Sequence, residues 1–117
     1  MNRIIKFRVW DKNKKVMMVA FPHDTNWELQ NDPYITMQFT GLTDKQGKEI
    51  YEGDIVVVGG VVKYIVEYDD NRASFAFNPK PIEGEMYHIV HKPKEVEFEL
   101  EVIGNIYENK DLLADKK

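Results

Sequence analysis

Short apolar runs rich in β-branched residues recur along the chain, separated by Gly, Pro, Asn and Asp, and the clearest of them alternate hydrophobic and polar positions with a period of two. That pattern predicts half-buried strands joined by tight turns. "IIKFRVW" (residues 4–10) sets Ile5, Phe7 and Val9 on one face and Lys6 and Arg8 on the other. "DKNKK" then reads as a hairpin turn into "VMMVAF" (16–21), because Asp and Asn side chains bond their own backbone in turns. "PHDTNWELQNDP" (22–33) is a polar connection bracketed by prolines, with a short helical turn expected around Trp27, and "YITMQFT" (34–40) resumes strand.

In the middle, "TDKQGKE" opens a turn on Asp44 and calls for positive φ at Gly47, and "YEGD" turns again through Gly53. "DIVVV" (54–58) and "VVKYIVEY" (61–68) flank Gly59-Gly60, a two-residue hairpin signal. "DDNR" turns the chain into "ASFAF" (73–77). "NPKPIEGE" (78–85) reads as a loop, since two prolines and a glycine interrupt strand pairing, and "MYHIV" as a weaker strand. "EVEFELEV" (95–102) alternates without a fault, with Val96, Phe98, Leu100 and Val102 inward and Glu95, Glu97, Glu99 and Glu101 outward. "GNIY" breaks that strand, and "ENKDLLADKK" ends the chain as a helical turn capped by Asn109 and a charged tail.

So many short strands predict a mainly β fold: a small SH3-like or open β-barrel of short antiparallel strands, with an N-terminal β-hairpin extension and little helix. Closure would remove the edges that the strands otherwise expose. The 117 residues form a single domain in this reading. Residues 1–40 are the N-terminal extension and candidate oligomerisation region, 41–113 the barrel-like core and 114–117 the tail.

Composition narrows the class. With 43% apolar and 31% charged residues the chain is globular rather than disordered. No apolar run approaches the roughly 20 residues of a membrane span, and the start lacks the apolar core of a signal peptide, so the expectation is a cytoplasmic protein with no membrane contact. The absence of cysteine removes disulfides and thiolate chemistry. A net charge of −4 counts against nucleic acid, whose binders neutralise phosphates with basic stripes; "DKNKK" and "HKPK" (91–94) are small groups with acids close by.

Catalytic signals are weak. His88 and His91 are three apart on a strand pattern and face opposite ways, and with His23 they suggest no metal site. Ser74, the only serine, sits in an alternating strand. Asp44, Glu49, Glu52 and Asp54 flank the glycine turns, where carboxylates serve acid–base chemistry or, more commonly, hold turns. The Glu95–Glu101 stripe reads as a solvated face, or as a contact for Lys6 and Arg8. Gly59-Gly60 lacks the Lys-Ser/Thr of a phosphate loop. No enzyme, cofactor or metal is therefore expected. Trp10, Trp27 and Tyr51 fall at strand ends or in loops, and with Phe7, Arg8 and Val9 they make the candidate interaction surface. Its first expected partner is a second copy of the chain, tested by Phe7→Asp or Val9→Asp; the alternative is a single nucleic-acid strand stacked near Trp10 and Tyr51.

Three stretches taken together, "IKFRVWDKNKKVM", "FTGLTDKQGKEIYEGDIV" and "EVIGNIYENKDLL", closely resemble the YopX-like family of bacteriophage and prophage proteins. They span residues 5–113, and "TGLTDKQGKEIYEGD" is the long, specific part. "EYDDNRASF" fits the family's strand–turn–strand, with Tyr68 where Trp is expected about as often; residues 78–94 carry no feature of the pattern. The resemblance implies a mostly β, barrel-like fold and an N-terminal portion suited to self-association. It implies a small accessory protein made in the bacterial cytoplasm from a phage or prophage; a phage or host protein is a further expected partner. It supplies no activity and no catalytic residues. Gly41, Gly47 and Gly53 are expected to shape turns, and Ile50 and Tyr51 to seat their hairpin on the barrel. The expected function is a non-catalytic, oligomeric protein-binding or assembly module, with single-strand binding as the alternative.

Overall fold

The computed structural model describes residues 4–20, 31–58, 62–80, 87–88 and 100–113. Among these residues nine strands make two sheets. The first holds β1 (Phe7–Asp11), β2 (Val16–Ala20), β3 (Tyr34–Thr43) and β4 (Glu49–Tyr51) in the order β2-β1-β3-β4. The second holds β5 (Asp54–Val58), β6 (Val62–Asp69), β7 (Ser74–Lys80), β8 (Tyr87–His88) and β9 (Leu100–Asn105) in the order β8-β7-β6-β5-β9. Every pairing is antiparallel. One core is shared between the sheets: Leu42 and Ile50 come from the first, Val56, Val66, Phe77, Leu100 and Val102 from the second. The result is the expected mostly β, small open barrel.

Two hairpins are built alike. In the β1–β2 turn the Asp11 carboxylate accepts the Asn13 and Lys14 N–H groups, at 2.9 and 3.1 Å. In the β6–β7 turn Asp69 accepts the Asn71 N–H at 3.0 Å. Each turn ends on a residue with positive φ, Lys15 at 58° and Ala73 at 53°. The Asp-first pattern of "DKNKK" and "DDNR" thus encodes the turns locally. Between β5 and β6 the register pairs Val58 with Val62, leaving three residues for the connection rather than two; the Gly-Gly turn itself lies outside the described residues.

Two irregularities decide which side chains face the core. Along β3, Met37 and Phe39 are buried, then Leu42, so the buried parity changes across Gly41. Gly41 has φ +91° and sits within the strand, at a register shift, rather than in a turn. Thr40 steadies it: its hydroxyl donates to the Ile50 carbonyl at 2.8 Å and accepts the Leu42 N–H at 3.1 Å. In β9, Ile55 pairs with Gly104 but Val56 with Val102, which leaves Ile103 as an extra residue. The strand therefore continues to Asn105, beyond the break expected at "GNIY"; the lost alternation is a bulge, not an end.

Two further expectations are corrected. β7 runs on through Pro79 to Lys80, where a loop was expected. β8 pairs only with Ala76 and Phe77, so the far end of β7 lies on an edge among the described residues, where a proline without an N–H is tolerated. The final turn is a 3-10 helix, Lys110–Leu113, but the Asn109 side chain does not cap it; its Oδ1 accepts the Asn105 N–H at 3.0 Å. β3 is continuous through residue 40, joining the N-terminal hairpin to the barrel. Of "EVEFELEV", Leu100 and Val102 are buried as expected and Glu101 is half-buried; residues 95–99 lie outside the described residues.

Candidate functional site

The loop between β4 and β5 wraps one side chain from β1. Arg8 Nη2 is 2.7 Å from Asp54 Oδ1 and donates to the Glu52 carbonyl at 3.0 Å. Its guanidinium lies 4.8 Å from the centre of the Tyr51 ring. Gly53, with φ +85°, closes the socket: a Cβ there would lie 3.1 Å from Met37 Sδ and 3.4 Å from the Tyr107 ring. The Asp54 carboxylate also accepts the Tyr51 N–H at 2.8 Å, and Glu52 Oε1 accepts the Gln38 N–H at 2.7 Å. "IYEGD" is therefore a receptacle for the arginine of "KFRVW". The third family-like stretch arrives at the same place, since the Ile106 N–H donates to the Gly53 carbonyl at 2.9 Å.

Burial sets the electrostatics here. It pushes the Asp54 carboxyl above its ordinary range, although the Arg8 charge and the Tyr51 N–H pull it back. Burial raises Glu52 as well, against the Gln38 N–H and Arg8. Tyr51 is raised by burial and by the Glu49 carboxylate that its hydroxyl donates to. Arg8 Nε is buried and has no hydrogen-bond partner among the described residues. Asp44 behaves differently. Burial would raise it, but the N–H groups of Val102, Lys48 and Gln46 and the Lys48 charge outweigh that and lower it. Through the 2.9 Å bond to Val102 and the Lys45 N–H to Leu100 carbonyl bond, its turn is fastened to β9.

The candidate interaction surface is largely interior. Val9 is inaccessible, Tyr51 is 4% exposed, Trp10 7% and Arg8 9%. Phe7 is half-buried, and Trp27 lies outside the described residues. Both faces of β1 are covered, so the alternation of "IIKFRVW" separates two buried sides instead of a wet side from a dry one. Lys6 meets Glu49, and Glu101 pairs with Lys45 at 3.7 Å, so the basic residues of the first strand serve internal carboxylates. Among the described residues, no three His, Asp or Glu side chains converge as metal ligands. His23 and His91, and the His88 side chain, lie outside the described residues.

Behind the socket is a cleft of about 660 Å³ that the sequence pattern did not mark. Trp10 and Tyr107 stack in its wall, ring centres 5.9 Å apart and planes 25° from parallel. Ile35 and Ile106 add apolar surface, and Lys12, Lys15, Lys110 and Glu108 supply the charges. Its parts come from the β1–β2 hairpin, β3 and the segment after β9. Asn105 shapes that segment, its Oδ1 accepting the Tyr107 and Glu108 N–H groups at 3.0 and 2.8 Å.

A family model described as "YopX protein" matches residues 20–114. The chain belongs to the YopX family. Within that match fall Tyr51, Glu52, Gly53 and Asp54 of the socket and Tyr107 of the cleft, while Arg8 and Trp10 precede it. The crystal structure of protein EF1440 from Enterococcus faecalis is similar to this YopX-family chain with a TM-score of 0.64 and 27% identity, over 97% of this chain and 100% of that one. No curated protein matches.

Proposed function

We propose that this YopX-family chain is a non-catalytic assembly module, a symmetric homo-oligomer joined through the outer edge of β2. One observation carries the reading. β2 pairs only with β1 among the described residues, and its sequence, "VMMVA", has no charge and no proline. Val19 is 63% exposed, and Val16 and Met18 are exposed on the other face. Ile4 and Ile5, exposed as well, extend the apolar surface from the start of the same hairpin. Natural edge strands are normally guarded by lysine, proline or a bulge. An unguarded one suits strand addition, and antiparallel pairing with its own copy about a twofold axis satisfies the edge on both protomers.

The non-catalytic part of the reading is supported by how the central carboxylates are used. Asp44, Glu52 and Asp54 each accept backbone N–H groups, and Asp54 also neutralises Arg8, so their geometry serves the turns. A phage or prophage accessory role in the bacterial cytoplasm belongs to the same proposal. No helix among the described residues is long and apolar enough to cross a membrane.

Val9→Asp is unsuitable as a test, because Val9 is inaccessible and the charge would unfold the hairpin. Val19→Lys puts a guard on the edge instead. Sedimentation equilibrium should give a multiple of 13.8 kDa for the native chain and 13.8 kDa for the variant, with unchanged far-UV circular dichroism. A monomeric native chain, or a variant that keeps the native mass, overturns the proposal.

A further inference from the structure

We infer that the cleft beside Trp10 and Tyr107 is a binding site for single-stranded nucleic acid, taking a base and its adjoining phosphates. The cleft opens at the β1–β2 turn, next to Val16 at the start of β2, and a ligand there goes beyond the assembly reading. Charge is the first argument. The whole chain carries −4, yet the cleft gathers Lys12, Lys15 and Lys110 against the single acid Glu108. Lys12 meets Asp32, while Lys15 and Lys110 make no ion pair with any described residue and are exposed. Glu108 is itself occupied, accepting the Asn105 side-chain amide at 2.8 Å. The cleft is therefore a local cationic spot on an acidic molecule, which attracts phosphate without a basic domain.

Shape and chemistry of the wall give the second argument. Tyr107 is half-buried and stacked on Trp10, so its orientation is fixed before any ligand arrives. Ile35 and Ile106 offer flat apolar contact close by. Aromatic faces flanked by lysines are how small β-barrels hold single strands, because every base has a π-face to stack and every nucleotide a phosphate to neutralise. Acidic side chains alone would use the lysines but leave the aromatic wall without a matching group. The acidic balance of the chain limits affinity without removing the site: two or three lysines contact two or three phosphates.

That count makes the test quantitative. The logarithm of affinity for a single strand should fall with the logarithm of salt with a slope of about −0.7 per phosphate, so about −1.4 to −2.1 here. Between about 50 and about 200 mM salt the affinity should then drop roughly 7- to 18-fold. Fluorescence anisotropy of the full chain with a labelled, mixed-sequence single-stranded oligonucleotide reads this directly. Lys15→Glu with Lys110→Glu changes two exposed side chains and leaves folding intact; it should cut affinity at least tenfold. Lys15→Gln alone should reduce the slope by about 0.7. Tyr107→Phe should bind as the native chain does, and Tyr107→Leu at least fivefold more weakly, with circular dichroism confirming that each is folded. No binding by the native chain at about 50 mM salt overturns the inference, as does native affinity in the Lys15→Glu, Lys110→Glu chain. A mononucleotide that competes as well as the oligonucleotide overturns the strand in favour of a free nucleotide. Equal competition by polyglutamate overturns base recognition in favour of charge alone.

Discussion

Removing Arg8 should cost this fold more than removing any exposed charge. The Arg8 side chain is 10% exposed, its Asp54 partner 2%, and the closest atoms are 2.7 Å apart. Two unit charges at that separation attract by about 6 kcal/mol at an effective dielectric constant near 20. Desolvation consumes most of that, so the intact pair contributes little net stability. Breaking it is another matter. Arg8→Met leaves Asp54 buried and charged, and Asp54→Asn leaves Arg8 without its counter-ion, held only by the Glu52 carbonyl and the Tyr51 ring, so each should cost about 3–5 kcal/mol. Urea unfolding at fixed protein concentration, followed by tryptophan fluorescence, should show midpoints about 1.5–2.5 M lower for a slope near 2 kcal/mol/M. The double variant removes both charges, and its Asn can still accept the Tyr51 N–H. It should be no less stable than either single variant, which makes the interaction energy about 3 kcal/mol or more. The Arg8→Met loss should also shrink in acid. Without Arg8, burial holds the Asp54 carboxyl further above its unfolded value, so the folded state binds the proton more tightly. Stability of that variant then falls as pH rises between the unfolded value, about 4, and the raised folded one. Single losses under about 1 kcal/mol, or strictly additive ones, would refute the socket argument.

Other consequences are equally direct. Gly53→Ala combines a strained φ of +85° with a Cβ at 3.1 Å from Met37 Sδ, so it should lower stability by about 1–3 kcal/mol in the same urea assay. Asp44 has a folded pKa below its unfolded one, so its stabilisation is complete above about pH 4 and is lost as pH falls through the folded value. Asp44→Asn should lose stability at neutral pH, because an amide N–H₂ replaces one of the oxygens that accept the Val102, Lys48 and Gln46 N–H groups. Below about pH 4 its midpoint should fall less steeply than the native chain's, measured by acid titration of circular dichroism.

Local chemistry was legible in the sequence because its causes lie within a few residues. Asp11, Asp44 and Asp69 each bond N–H groups two to four positions ahead, so "DKNKK", "TDKQGK" and "DDNR" are turns wherever they sit. Period-two alternation likewise marked β1 and β9, the Gly-Gly signal between β-branched runs marked β5 and β6, and turns spaced between short apolar runs implied a small barrel. The resemblance carried by "TGLTDKQGKEIYEGD" pointed to the family that residues 20–114 match.

Burial was not legible in the same way. Alternation says that two faces of a strand differ, and it is silent on whether the polar face meets water or a partner. Arg8 looked like part of a wet basic face, and only a carbonyl 44 residues away and the carboxylate beside it turned that face inward. Bulges at Gly41 and Ile103 then shift the buried parity, so a reading that keeps one phase ends β9 too early. The cleft needed still more, since Trp10, Ile35 and Tyr107 belong to segments whose meeting depends on sheet order. Turns and strands follow from short-range hydrogen bonding and side-chain period, both written in neighbouring residues. Which charge is buried, which edge is left open and which aromatics meet the lysines follow from long-range packing, and that was decided only when the two sheets closed on a common core.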